Sequence, residues 1–365
     1  MDVTVYYCLR RGVDEALDPE FRKKYKWDIP LLDGYRSIFL KNLSFGSSPT
    51  FWGQINPGIF SELRREKYDA LVVHGYNAFT NWMAFLGCLV TKTPIILRGE
   101  AELREKTNFL KRLAKKIILT PLFGIIDAFL YSYTRNRDFF KYYGASEEKL
   151  FFHPCSVDNR FLEEEAKILG SHKLELRQEI GVKRPELPAV LYTGKFIKRK
   201  RVRDLLEACQ IIKGSNKHLT FNVLLVGDGP ERENLEAFAR KNNLENVYFF
   251  GFKNQSEMPL FYATSDIFVL PSSLDPSPKS INEAMNFALP VITTKDVGTA
   301  PDLVLEGKTG LIYKTGDVIA LSASLAKLLN DSEFRENLGR GAQNLVRDWS
   351  FEGMVKGLRG ALRTT

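Results

Sequence analysis

Asp275 and Glu283 stand eight positions apart in Asp275-Pro276-Ser277-Pro278-Lys279-Ser280-Ile281-Asn282-Glu283. Two carboxylates at that spacing straddle a loop and the first turn of a helix opening near Ser280. The free amide groups and the positive end of such a helix, beside Ser280 and Ile281, suit a phosphate. A carboxylate inside the helix can accept from a sugar hydroxyl. The same residues also read as a capped helix after a strand, with Asp275 as a turn residue, and spacing alone gives that plainer reading the greater weight. A second cluster follows Gly194. Lys195, Lys198, Arg199, Lys200, Arg201 and Arg203 make six of the next nine residues basic. Such a cluster at the end of a strand can neutralise a diphosphate. It can equally be a solvated loop or a nucleic-acid patch, although no interleaved aromatics support stacking on bases. Gly227-Asp228-Gly229-Pro230 resembles the start of a G-x-G-x-x-G loop, but Glu231 and Arg232 follow and the third glycine is missing, so it marks only a tight strand-to-helix turn. Of the four histidines, His74 ends a strand and is as apt to be functional as structural, and His153 reads first as a satisfied loop residue.

These residues need an α/β frame. In the second half, Val190–Thr193, Phe221–Val226, Val247–Phe250, Ile267–Leu270 and Pro290–Thr293 are short apolar runs. Helical patterns at Leu205–Ile212, Glu231–Lys241, Ser256–Ala263 and from Ser280 lie between them. That alternation predicts a parallel sheet covered on both faces. The first half repeats the style less cleanly, with strands expected at Val3–Tyr7, Ile38–Leu40, Ala70–Val73, Ile95–Leu97, Phe129–Tyr131 and Leu150–Phe152. Helices are expected there at Phe79–Val90, Phe109–Leu119 and Asn136–Tyr143, and the last 50 residues also read as helical. Dense charge in Glu163–Arg177 places the domain boundary near 160–185, giving domains of 1–170 and 171–348, with a final helix, 349–365, returning to the first.

The whole chain of 365 residues suits about two domains. Its 44% hydrophobic and 26% charged content excludes disordered and collagen-like classes. There are 52 basic and 44 acidic residues, a net charge of +8. They divide as 25 against 21 in 1–170 and 27 against 23 in 171–365, so each part carries +4 and no basic tail exists. A basic excess suggests anionic partners. Cys8, Cys88, Cys155 and Cys209 have neither disulfide-framework nor zinc-site spacing, which fits a reduced cytoplasm. The N-terminus lacks the pattern of a signal peptide. The longest apolar stretch, Ile117–Ile126, is broken by Thr120 and Pro121 and is too short to span a bilayer.

The motifs also have a familiar order. LYTGKFIKRKRVRDLLEA (191–208), VLLVGDGPERENLEAFA (223–239), VYFFGF (247–252), ATSDIFVLPSSLDPSPKSINEAMNFALPVITT (263–294) and GLIYKTGD (310–317) together resemble the nucleotide-binding half of family 4 glycosyltransferases. HPCSVDNRF (153–161) and TPIILRGE (93–100) match the other half more loosely. The resemblance implies the GT-B fold, with two Rossmann-like domains whose parallel sheets face a central cleft. It also implies a retaining, metal-independent hexosyltransferase. UDP-glucose is the first donor to expect, and a polysaccharide or lipid-linked oligosaccharide the acceptor. An epimerase- or phosphorylase-type enzyme and a non-catalytic nucleotide-sugar-binding protein are the alternatives.

By that resemblance, Lys195 and Lys200 would hold the donor diphosphate and stabilise it as it leaves. Asp275, in place of the family's first Glu, would hold donor-sugar hydroxyls, with Ser277, Lys279, Ser280 and Ile281 around it. Glu283 would bind the ribose. Phe252 and Lys253 would read the base, with Gly229 and Pro230 near it. Glu100 falls where the family places an active-site histidine, with Arg98 and His74 beside it. Gly12 is what remains of a phosphate-touching glycine loop. Pro276 and Pro278 replace amide donors that relatives have in the acidic loop. No D-x-D motif is present, and no cofactor or metal is expected.

In Phe109–Leu119, Lys111, Arg112, Lys115 and Lys116 share one side, and Leu110, Leu113, Ala114 and Ile117 the other. This is either a domain helix with its apolar side inward or a segment that docks on an anionic membrane. The second alternative would place a cytoplasmic protein peripherally on the inner face of the plasma membrane. Nucleic acid is not an expected partner.

Overall fold

In the computed structural model, which describes residues 1–10, 13–18, 23–45, 50–103, 108–216 and 218–365, the strands of the first part are eight. They are β1 (Thr4–Tyr7), β2 (Ala16–Asp18), β3 (Lys23–Tyr25), β4 (Arg36–Phe39), β5 (Leu71–His74), β6 (Ile95–Gly99), β7 (Ala128–Tyr131) and β8 (Leu150–Phe152). β5 to β8 pair in sequence order, all parallel, with helices Phe79–Thr91, Phe109–Gly124 and Thr134–Tyr142 as the crossovers. Parallel neighbours need such crossovers, which place helices on the sheet faces. Side chains alternate accordingly. Ile95, Leu97 and Phe129 pack with Phe85, Phe123, Phe139 and Phe140. Ile96, Ala128 and Leu130 face the other way, against Ala361 of the terminal helix Phe351–Leu362. That helix approaches β8 closely: a Cβ at Gly357 would lie 1.9 Å from the Phe152 carbonyl oxygen, and one at Gly360 2.9 Å from the Phe151 ring. β1 pairs with β4 separately, and β2 with β3.

The second part contains β9 (Ala189–Thr193), β10 (Asn222–Val226), β11 (Val247–Gly251), β12 (Ile267–Leu270), β13 (Val291–Thr294) and β14 (Gly310–Tyr313). They form one parallel sheet in the order β11-β10-β9-β12-β13-β14. Every residue of β9, β10, β12 and β13 is buried, which is why these strands appear in the sequence as unbroken apolar runs. Strand order reverses between β9 and β12. Open α/β sheets bind ligands outside the carboxyl ends of the strands at such a point. Here those ends lead into the basic loop after Gly194 and the loop carrying Asp275.

The described chain falls into two compact units. One holds Met1–Ala16, Ile29–Pro154 and Glu352–Thr365; the other holds Leu17–Asp28 and Cys155–Phe351. The main stretch of the first unit therefore ends at Pro154, ahead of the expected 170, and the charged stretch expected to mark the boundary forms two helices, Asn159–Gly170 and Lys173–Glu179. Their charges are partly internal. Asn159 donates to the carbonyl of Val346 at 3.0 Å and accepts from Asn286 at 3.0 Å. Arg177, only 3% exposed, donates to the carbonyls of Thr264, Pro185 and Leu187 and pairs with Asp266. Burial raises the Asp266 carboxyl, but the cations of Lys173 and Arg177 outweigh it and hold the group below its usual range.

The basic helix also settles differently from an inward-packed one. Phe109 is 73% exposed, Leu110 69% and Ile117 67%, and Leu113 and Ile118 are exposed too; the helix buries only Leu119, Leu122 and Phe123, near its end. Among the described residues no helix is long and apolar enough to cross a membrane. All four cysteines are free thiols.

Candidate functional site

A pocket of about 250 Å³ opens in the second unit, lined on one side by Lys200, Asp275, Lys279, Ser280 and Glu283. Phe252, Lys253, Gln255, Met258 and Trp27 line it elsewhere, and Thr193, Gly194, Val226 and Gly227 bring strand ends to it. Thus Lys200, Asp275, Lys279, Ser280, Glu283, Phe252 and Lys253, separated by up to 83 positions, share one cavity.

Two loops make its charged wall. The basic loop is tied to the acidic one through Arg199, whose carbonyl accepts from the Ser273 amide at 2.8 Å and from the hydroxyls of Ser272 and Ser273. The Arg199 guanidinium donates to the Leu274 carbonyl at 3.2 Å. One residue on, the Lys200 ammonium pairs with the Asp275 carboxylate, and each side chain is only 12% exposed. An ion pair this sheltered feels far less solvent screening than a surface pair. Asp275 is itself fixed by a bridge to Val297, its carbonyl accepting from the Gly298 amide at 2.8 Å. The rest of the basic run is engaged elsewhere. Arg201 pairs with Asp204 at 2.7 Å, and Arg203 pairs with Glu207 at 2.9 Å and lies over the Phe238 ring.

The helix Lys279–Asn286 begins at the pocket after Pro278, and no side chain caps it. The amides of Lys279 and Ser280 therefore sit at an uncapped helix N-terminus, where anions are favoured. Ile281 contributes differently: its side chain is fully buried and its amide donates to the Pro278 carbonyl at 3.2 Å. Asn282 and Asn286 hold the helix's other side, donating to the Cys155 carbonyl and to Asn159. Glu283 is half-buried and accepts from the Tyr262 hydroxyl at 2.6 Å, which also lies 3.2 Å from the Thr193 hydroxyl. Burial raises the Glu283 carboxyl, against the opposing Tyr262 hydrogen bond and the Lys279 cation. A nucleoside hydroxyl donating to this carboxylate needs it ionised. Affinity for a diphosphate sugar, whose diester phosphates do not titrate here, should fall with decreasing pH, beginning above the ordinary carboxylate range. Calorimetric titration across pH 8 to 5 reads this loss. Glu283→Gln should bind about tenfold more weakly at neutral pH and show a flatter profile.

The remaining expected residues lie outside this cavity. Lys195 and Ser277 do not line it, and Pro230 is exposed. Gly229 has φ +153°, and a Cβ there would meet the Phe196 carbonyl oxygen at 2.6 Å, so this glycine serves the packing of one loop on another. Gly12 lies outside the described residues. Glu100, Arg98 and His74 belong to the first unit, where His74 and Arg98 are paired residues of β5 and β6. Arg98 pairs with Glu100 at 3.3 Å and donates to His153 Nδ1 at 3.4 Å. Burial first, and the Arg98 cation second, push His153 down to about 4, so it is a neutral acceptor. Among the described residues no three of His, Cys, Asp and Glu gather as a metal site. Trp27, Gln255 and Met258 are lining residues that no motif signalled.

The sequence profile of the family described as glycosyl transferases group 1 matches residues 175–345. An uncharacterized glycosyltransferase of Methanocaldococcus jannaschii is 28% identical over 62% of this chain and 62% of its own length. The sulfoquinovosyl transferase of Arabidopsis thaliana is 30% identical over 51% of this chain and 35% of its own. These alignments span about a third to two thirds of the relatives' length. Anabaena HepE, solved in complex with UDP, superposes with a TM-score of 0.71 at 17% identity, over 90% of this chain and 86% of that one; its UDP-glucose complex gives 0.68. The superposition identifies the fold as GT-B. Apart from Trp27, the residues that line the switch-point pocket fall within residues 175–345, the stretch that matches the group 1 glycosyl transferases.

Proposed function

We propose that the protein transfers a sugar from a nucleotide-sugar donor, UDP-glucose first, to a saccharide or lipid-linked acceptor, retaining the anomeric configuration and needing no metal. The observation that carries this is the convergence of Lys200, Asp275, Lys279, the open amides at Ser280 and the half-buried Glu283 on one pocket at the switch point of a doubly wound sheet. HepE's complexes with UDP and UDP-glucose support the choice of donor. Transfer breaks the bond from the anomeric carbon to the diphosphate oxygen. Negative charge grows on the diphosphate while positive character grows on the sugar. Lys200, Lys279 and the helix N-terminus supply fixed positive charge to the first, and preorganised charge of this kind is usually the largest catalytic contribution. Asp275 orients Lys200 and offers its carboxylate to sugar hydroxyls. No side chain is assigned as nucleophile. The acceptor hydroxyl attacks from the face the diphosphate leaves, passing its proton to the departing phosphate.

Thermal-shift measurement across nucleotide sugars tests the donor, since a ligand at 100 times its Kd stabilises by about 2.7 kcal/mol. Slow hydrolysis of the same donor without acceptor, undiminished by EDTA, is the expected companion result. Stabilisation by no nucleotide sugar overturns the reading. With an acceptor in hand, NMR of the product anomer tests retention, and an inverted product rejects the same-face step.

The exposed row Phe109, Leu110, Leu113, Ile117 and Ile118, beside Lys111, Arg112, Lys115 and Lys116, supports docking on an anionic membrane surface. A cytoplasmic enzyme held on the inner face of the plasma membrane suits a lipid-linked acceptor. The protein should float with liposomes containing anionic lipid, lose this with Leu110→Ser/Ile117→Ser, and weaken with rising salt. Flotation equal to that with neutral liposomes removes the electrostatic part.

A further inference from the structure

Leu17–Asp28 lies in sequence between two stretches of the first unit, yet it belongs to the second. Residues 25–28 are attached there at each step. The Tyr25 ring lies 5.9 Å from that of Phe252 and 5.0 Å from that of Trp27. The Lys26 carbonyl accepts from Asn254 Nδ2 at 2.9 Å. The Asp28 carboxylate accepts from the Ser256 amide at 3.3 Å and from its hydroxyl. Asn254 is rigid, since it forms a capping box with Glu257 at the start of the short helix Gln255–Glu257. With both neighbours bonded to the 254–256 segment, Trp27 is held beside it, and it lines the pocket with Phe252, Gln255 and Met258. The carboxylates of the pocket and the cations Lys200 and Lys279 lie on its other side; this part is aromatic, and its cation, Lys253, pairs with Glu257 at 2.9 Å. A nucleoside diphosphate sugar has one large, planar, uncharged group: its base.

We propose that Trp27 is the wall against which the donor's nucleobase stacks, positioned by Asp28–Ser256 and Lys26–Asn254. The inference rests on the nucleotide-sugar reading of the pocket and adds to it a base-contacting residue from outside the matched family region. Stacking on an aromatic face is tolerant of base identity. Trp27 therefore supplies affinity, and the 252–255 backbone is left to choose among bases.

Binding of UMP, UDP and inorganic pyrophosphate to wild-type protein and variants tests this by calorimetry, with tryptophan fluorescence alongside. Trp27→Ala should weaken UMP and UDP by the same factor, about tenfold, and leave pyrophosphate unchanged. Trp27→Phe should recover most of the affinity and Trp27→Leu little, because a flat π-face is required and not merely apolar volume. UDP should quench wild-type fluorescence, and Trp27→Phe should lose that quench while the other three tryptophans remain. UDP affinity within twofold of wild type in Trp27→Ala, or equal loss of pyrophosphate binding, overturns the stacking role while the nucleotide site stands. Wild-type protein that binds pyrophosphate but neither nucleotide overturns both.

Discussion

Replacing Lys200 with alanine should slow turnover about 30- to 1000-fold, a rise of about 2–4 kcal/mol in the barrier, while the protein still folds. The size follows from where the ammonium sits. Lys200 and Asp275 are both mostly shielded from water and paired with each other, so in the empty site their charges cancel locally. When the diphosphate departs it gains charge, and an ammonium already fixed at the pocket can meet that charge without reorganising. Alanine removes it and also leaves Asp275 as an uncompensated carboxylate facing an anionic donor, so donor affinity should fall as well. The two effects separate in a cycle. Asp275→Asn in the Lys200→Ala background should restore part of the donor affinity, because the repulsion is gone, without restoring turnover. Single-turnover kinetics with saturating donor, set beside equilibrium binding, reads both. Unchanged turnover in folded Lys200→Ala rejects the role, and recovery of turnover in the double variant would assign the defect to Asp275 instead.

The residues in that cycle were visible in the sequence because parallel strands are visible there. β9, β10, β12 and β13 are buried on both faces, so each is an apolar run, and the loops at their carboxyl ends are where charge and glycine reappear. Lys200, Asp275 and Glu283 lie in or directly after such loops. What could not be read depends on distant partners. β2 and β3 are three residues each and carry Asp18, Lys23 and Lys24, with no apolar alternation. Nothing local to Trp27 announces that its neighbours bond to Asn254 and Ser256. The helix Gly58–Arg65 buries only Ile59 and Leu63, too thin an apolar stripe to stand out. The helix Asn159–Gly170 was hidden by its acidic run, although Asn159 and Leu162 are what anchor it. Within the basic run, Arg201 and Arg203 spend their charge on Asp204 and Glu207, pairings that the run's composition does not show. In the first unit, Arg98 of β6 stands beside two histidines, paired in register with His74 of β5 and donating to His153, just after β8, contacts that no local pattern announces.

Gly227→Ala should cost about 2–6 kcal/mol of stability and remove nucleotide binding even where the variant folds. Gly227 has φ +139°, a conformation that strains any L side chain by roughly 1–3 kcal/mol. Its Cβ position also lies 1.9 Å from the carbonyl oxygen of Gly194, and forcing volume into such a contact typically costs a further ~1–3 kcal/mol. Relief is hard to find because the colliding atom is backbone, and that backbone is pinned: the Gly194 amide donates to Val226 and the Phe196 amide to Asp228. The Gly227 amide in turn donates to the Gly251 carbonyl at 2.8 Å, so the residue joins the ends of β9, β10 and β11. Pushing Gly194 aside shifts the start of the basic loop and therefore Lys200. Gly251 precedes Phe252, and moving it shifts the aromatic side of the pocket. Gly316→Ala is the control. Its φ of +83° is also strained, but the neighbour of its Cβ is the end of the Arg201 side chain, 3.1 Å away, which can move. Urea unfolding should show Gly227→Ala as clearly the less stable of the two, and calorimetry should show nucleotide affinity retained in Gly316→Ala. Equal stability of the two variants would mean that the Gly194 backbone yields, and that the close approach of these loops is not what holds the pocket.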